Sequence, residues 1–205
     1  RLVSMVHAFL SCGVAWVALV EHDDLWAPST LFHAHPPLCT LAVAHTGGYL
    51  LHDLLDLLRN GYVHGQYDGG PLVFLHHIFG VLGYVHVYAY EKMIMIYVAW
   101  ILCEVSTPFL NLIWFGGLLK MQKMRTVSGI MLWLSYIPSR IFASPATAYL
   151  LWVNRAELEN MPGFLTGYLY FILAFATIMN YYWFYKITQG MVKALKKLQK
   201  GAKSA

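Results

Sequence analysis

Apolar residues in this chain come in six long runs, separated by short polar or proline- and glycine-bearing breaks. The runs fall near 2–20, 38–58, 72–90, 93–119, 128–153 and 163–186. A helix needs about 20 such residues to cross the hydrocarbon core of a bilayer. The breaks have local causes. Glu21 to Asp24 is acidic, and Pro28, Pro36 and Pro37 interrupt the approach to the second run. Gly61, Gly65, Gly69 and Gly70 predict a loop over 59–71, and Pro162-Gly163 precedes the sixth run. The pattern predicts an all-α polytopic membrane bundle of about six transmembrane helices. It divides into a transmembrane domain over 1–190 and a basic amphipathic tail over 191–205, with no internal repeat.

Composition supports the membrane class. Of 205 residues, 59% are hydrophobic and only 12% charged, against about 25% charged in a soluble domain. Cys12, Cys39 and Cys103 all lie in apolar runs, which predicts buried thiols rather than a disulfide framework. The chain starts at Arg1 rather than Met, so an upstream targeting segment or further helix is expected.

Charge placement tests the topology. Six spans put Arg1, Arg59, Lys120, Lys123, Arg125, Lys186 and the tail lysines on one face. The other face receives only Lys92 and Arg155, with Glu21, Asp23, Asp24, Glu91, Glu157 and Glu159. That asymmetry predicts both ends in the cytoplasm, or in the matrix for a mitochondrial inner membrane. Lys193, Lys196, Lys197 and Lys200 share one helical stripe opposite Met191, Val192, Leu195 and Leu198. Such a stripe suits anionic headgroups. Nucleic acid is not an expected partner, because no folded basic domain accompanies it.

Ionisable groups within membrane spans are costly, which makes them candidates for function. In the second run His45, Tyr49, His52 and Asp56 recur at helical spacing and share a stripe, beside Asp53. The third run carries the adjacent pair His76 and His77 near its start. At about 1.5 Å per residue, His52, Asp53, Asp56, His76 and His77 reach similar depth on antiparallel neighbours. A histidine oriented by a carboxylate can act as a general base or attack an activated acyl group itself. The other reading is that these groups satisfy one another structurally.

Glu104, Pro108 and Asn111 share a face of the fourth run, and Pro108 should kink it. Arg140 lies about as deep in the fifth run as Glu104 in the fourth, so a Glu104–Arg140 pair near the midplane is expected. Tyr84, Trp100, Trp133, Tyr136 and Tyr170 are candidates to line an apolar chamber or to pack.

The segments Gly48-Tyr49-Leu50-Leu51-His52-Asp53-Leu54-Leu55-Asp56, Leu75-His76-His77-Ile78 and Glu104-Val105-Ser106-Thr107-Pro108-Phe109-Leu110-Asn111 occur in that order. Together they resemble the TLC superfamily, which unites the translocating-chain-associating membrane protein, the ceramide synthases and the ceroid-lipofuscinosis homologues. The likeness covers essentially the whole chain and is greatest to the branch called TLC-domain-containing proteins. It implies a bundle around a cavity accessible to lipid acyl chains. It also implies acyl transfer from acyl-CoA as co-substrate, with His76 acylated and His77 supporting, and an endoplasmic-reticulum membrane. Ceramide synthases carry His-Asp and a further Asp on the helix after the histidine pair. Here that helix has Cys103-Glu104, and His52-Asp53 and Asp56 come before the pair. The chain does not fit a ceramide synthase proper.

Two functions are therefore expected. In the first, an acyltransferase acting on lipid, His76, His77, Asp53 and Asp56 are catalytic, while His52, Glu104, Asn111 and Arg140 bind the polar substrate. In the second, the protein binds lipid without turnover or serves as an accessory subunit of a larger membrane assembly. Neither requires a bound cofactor or metal. A b-type haem carrier, with His45 and His86 as a second histidine level, is a third reading that the neighbouring carboxylates disfavour.

Overall fold

A computed structural model describes residues 1–21, 24, 27–65 and 70–203, without side-chain detail for 62–64 and 197–203. Asp23, Gly69 and the tail-lysine side chains from Lys197 onward lie outside what is described. Ten α-helices follow in order, with no strand among the described residues. They are α1 (Leu2–Val20), α2 (Pro28–His33), α3 (Pro37–His64), α4 (Gly70–Tyr90), α5 (Ile94–Ile101), α6 (Thr107–Leu118), α7 (Gln122–Tyr136), α8 (Ala143–Val153), α9 (Arg155–Glu159) and α10 (Gly163–Lys203). A 3₁₀ segment, Leu102–Ser106, joins α5 to α6, and a π segment, Ile137–Ile141, joins α7 to α8.

The protein is an all-α integral membrane bundle. Four helical stretches have the length and apolar composition to cross a bilayer: Leu2–Val20, Gly70–Tyr90, Ile94–Leu118 and Gly163–Lys196. The second and fifth runs are also helical. Their composition is diluted by the polar groups that make them interesting, His45, His52, Asp53 and Asp56 in one and Ser135, Ser139 and Arg140 in the other. Large apolar side chains such as Phe9, Trp16, Leu41, Tyr149, Trp152 and Ile178 point outward, as expected where lipid is the surrounding solvent. Buried positions include polar His7, His77, Asn111 and Arg140.

Several boundaries differ from the sequence expectation. The loop expected over 59–71 is helical to His64, and α3 ends only at Gly65, whose φ of 62° is left-handed. Lys123 and Arg125, assigned to a loop, lie in the first turn of α7. Residues 191–203 continue α10 without a break, making it 41 residues long. The six-residue α2 was too short to leave a periodic signal, yet Leu31 and Phe32 are fully buried in it.

The core centres on α5. Ile94, Met95, Ile96, Tyr97, Val98 and Ile101 are all buried, so this helix is apolar on every side and packed on every side. The Phe32 carbonyl accepts from the Met93 amide at 3.0 Å. At the polar edge His33 Nε2 lies 2.9 Å from Glu157, and Lys92 Nζ 3.0 Å from His33 Nδ1. That bridge ties together α2, the α4–α5 turn and α9.

The packing of α4 against α3 and α5 positions the histidines. A Cβ at Gly47 would stand 3.0 Å from Tyr84 Cβ, and one at Gly83 only 2.8 Å from the Tyr97 phenol oxygen. Small residues let the helices approach closely there.

Candidate functional site

Two departures from α geometry face each other in mid-bundle. Pro108 cannot donate a backbone hydrogen bond, and the turn preceding it tightens to 3₁₀. Pro138 lies in the π segment that carries Arg140. The Cys103 thiol donates to the Ser139 carbonyl at 2.8 Å, joining the two irregular segments directly. An Arg140 terminal nitrogen donates to Glu104 Oε1 at 3.3 Å and its Nε donates to Ser106 Oγ at 3.1 Å. The Thr107 hydroxyl donates to Glu104 Oε2 at 2.6 Å. The guanidinium also sits 5.5 Å from the Tyr136 ring centre. Thus the pair expected from equal depth is present, and each partner carries further hydrogen bonds, as a desolvated charge requires.

This pair forms the polar pole of a cavity of about 110 Å³. All six long helical stretches contribute to its wall: His7, Thr46, His76, Tyr97 and Glu104, Arg140, and Phe175. Phe79, Trp100, Ile172, Phe175 and Met179 make the remaining surface largely apolar. Tyr84 and Trp100 line it as anticipated, while Tyr170 is 48% exposed on the outside.

The two adjacent histidines have different surroundings. His77 Nε2 lies 2.7 Å from Asp53 Oδ2, and its Nδ1 lies 2.8 Å from the Val73 carbonyl. Both ring nitrogens therefore lie against protein oxygens, and neither is left open to a substrate. His76 instead lines the cavity. Its contacts are aromatic, edge-on to Trp183 at 5.5 Å and to His77 at 5.4 Å. No hydrogen bond to a His76 ring nitrogen occurs among the described residues.

The other sequence candidates divide similarly. His52 and Asp56 are exposed on α3, and Asp56 accepts from the Asn60 side chain at 3.2 Å. The inward stripe of α3 is Thr46, Leu50 and Asp53 rather than His45, Tyr49, His52 and Asp56. Asn111 is buried away from the cavity and donates to Ser4 at 3.2 Å, linking α6 to α1. His45 hydrogen-bonds Ser11 at 3.3 Å, and His86 stacks on Tyr168 at 5.0 Å. No cluster of three or more His, Cys, Asp or Glu suited to a metal ion occurs among the described residues.

His7 was not singled out from sequence. It lines the cavity, stacks on Tyr49 at 3.7 Å and sits 3.0 Å from Ser11 Oγ through Nδ1. An ionisable residue in the mainly apolar first run was the available signal.

These features define an integral membrane helix bundle with a polar pole inside a mainly apolar cavity. The TLC domain matches residues 1–189, and the chain belongs to that family. It is 29% identical to TLC domain-containing protein 4-B of Danio rerio over 215 aligned residues, covering 100% of this chain and 77% of that one. TLC domain-containing protein 4 of Homo sapiens is 25% identical, covering 97% of this chain and 75% of its own length. TLC domain-containing protein 4 A of Dictyostelium discoideum is 26% identical over 153 residues, or 73% of this chain and 57% of that relative. The chain thus spans little more than half of the Dictyostelium protein and about three quarters of the vertebrate ones. This similarity lies in a TLC branch other than the ceramide synthases. No solved structure matches the chain.

Proposed function

We propose that this protein binds a membrane lipid in its central cavity, with the lipid's polar end at His76, Glu104 and Arg140. The observation that carries this reading is a cavity in which that polar pole meets an apolar wall of Phe79, Ile172, Phe175 and Met179. Few polar groups in a mostly apolar recess is the usual form of a small-molecule site. A volume near 110 Å³ is below the roughly 150 Å³ of an apolar cavity that takes up benzene. It therefore holds a polar end and the first carbons, and the rest of the lipid must pass between helices into the bilayer. The membrane is that of the endoplasmic reticulum, with both described ends cytoplasmic. A role within a larger membrane assembly fits the same reading.

Acyl transfer is the second reading, favoured by the absence of a hydrogen bond on His76 among the described residues. A His76 nitrogen would attack the thioester carbonyl of acyl-CoA, forming an N–acyl bond as the CoA thiolate leaves. An alcohol or amine acceptor would then take the acyl group and return a proton. Asp53 hydrogen-bonds His77 rather than His76, so the carboxylate-activated histidine expected from sequence is not the cavity-lining one. This geometry supports binding over transfer.

Lipid extraction and mass spectrometry of protein purified in mild detergent should find one lipid class enriched over the surrounding micelle. That enrichment should fall at least threefold in Phe175→Trp, which fills the cavity. Equal lipid content in the two proteins would refute the reading. Incubation with radiolabelled acyl-CoA tests transfer separately: label on protein or lipid must disappear in His76→Ala.

A further inference from the structure

We infer that the cavity selects an uncharged lipid, one whose buried polar end is a hydroxyl, ester or amide rather than a carboxylate, phosphate or ammonium. This rests on the lipid-binding reading above and narrows its ligand class.

The first observation is charge balance at the polar pole. Glu104 and Arg140 contribute one charge of each sign and are committed to each other at 3.3 Å. The remaining Glu104 oxygen accepts from Thr107, and Arg140 Nε is held by Ser106. An anionic headgroup that took the guanidinium would strand Glu104 without its counter-charge, and a cationic one would strand Arg140. A buried charge deprived of its partner is strongly unfavourable. A neutral group accepts or donates hydrogen bonds at the pole without breaking the pair.

The second observation is independent of the first. Thr46 is 3% exposed and lines the cavity, yet its hydroxyl has no hydrogen-bond partner. The phenols of Tyr84 and Tyr97, whose rings meet edge-on at 5.2 Å in the same wall, also lack one among the described residues. The Thr46 hydroxyl, buried without a partner, costs free energy in that state. Each of these hydroxyls can both donate and accept, so their best complement is a group of the same kind. A ligand hydroxyl or ester oxygen beside Thr46 satisfies its hydroxyl; a methyl-capped ammonium offers no hydrogen bond at all.

The test uses the full chain in lipid nanodiscs and three diazirine-tagged probes of equal chain length: a monoacylglycerol, a fatty acid and a lysophosphatidylcholine. Cross-linked peptides are mapped by mass spectrometry. The monoacylglycerol should label peptides of α4 and α10 at least tenfold more than either charged probe at neutral pH. Thr46→Val removes the hydroxyl at nearly constant shape and should cut that labelling at least threefold with an unchanged melting temperature. Glu104→Gln removes the balancing charge and should turn the preference toward the fatty acid. Preferential labelling of the parent cavity by a charged probe would overturn the selectivity while lipid binding stands. So would full monoacylglycerol labelling of the Thr46→Val protein. If no probe reaches α4 or α10, both the selectivity and the lipid-binding reading fall.

Discussion

Replacing Glu104 by alanine isolates the energetics of the polar pole. The substitution leaves Arg140 with its hydrogen bond to Ser106 but without a counter-charge, and it deprives Thr107 of its acceptor. Breaking a buried ion pair from one side costs about 3–5 kcal/mol. The low end applies here, because the Glu104 side chain is 22% and that of Arg140 11% exposed. In a chain of this size one kcal/mol shifts the melting temperature by roughly 2–4 °C. About 3 kcal/mol therefore corresponds to a fall of roughly 6–12 °C. Intrinsic tryptophan fluorescence on detergent-solubilised protein measures it, with Trp100 in the cavity wall as a reporter. Replacing both partners, Glu104→Leu with Arg140→Met, removes the stranded charge and should recover all but about 1 kcal/mol, since apolar replacements of buried pairs are often neutral. An alanine variant melting within 2 °C of the parent, or a double variant as unstable as the single, would refute the reasoning.

The Asp53→Asn substitution weakens the 2.7 Å contact to His77. A hydrogen bond to a charged group contributes about 1.5–3 kcal/mol; with Asp53 35% exposed, about 1 kcal/mol is expected. Faster hydrogen exchange in the first turns of α4 should accompany it. Gly83→Ala drives a methyl to 2.8 Å from the Tyr97 oxygen and should cost about 1–3 kcal/mol by overpacking. Adding Tyr97→Phe should restore most of that, read by thermal melting. His33→Ala cuts the bridge between Lys92 and Glu157. With His33 38% exposed the melting temperature should barely move, but limited proteolysis ahead of α3 should accelerate.

Depth was legible in the sequence because it is a one-dimensional quantity. Counting residues from the ends of two antiparallel runs sufficed to bring Glu104 and Arg140 together. Helix facing was not legible in the same way. In water an apolar stripe marks the inside, but Leu41, Leu51 and Leu55 face outward to lipid as readily as Leu50 faces inward. The denser polar stripe of α3 drew His52 and Asp56 into the expected site alongside Asp53, while Thr46, on the neighbouring stripe with Asp53, was passed over. The histidine pair shows the same limit at closer range. Adjacent residues on a helix point about 100° apart, so His76 and His77 cannot share one environment. Only the tertiary structure shows which of them meets Asp53. His7 escaped notice because an isolated histidine has no periodicity to register.

The unbroken course of α10 has a mechanical consequence. Ile172, Phe175 and Met179 on this helix form part of the cavity wall. From Met179 the same helix continues to Lys203, about 36 Å further at ~1.5 Å per residue. A rod of that length acts as a lever with its short arm against the cavity. A 5° tilt at Met179 displaces its far end by about 3 Å, given that ~36 Å span. A change of tilt at the cavity wall would thereby be carried to the lysine-rich end along a helix that is continuous over Gly163–Lys203.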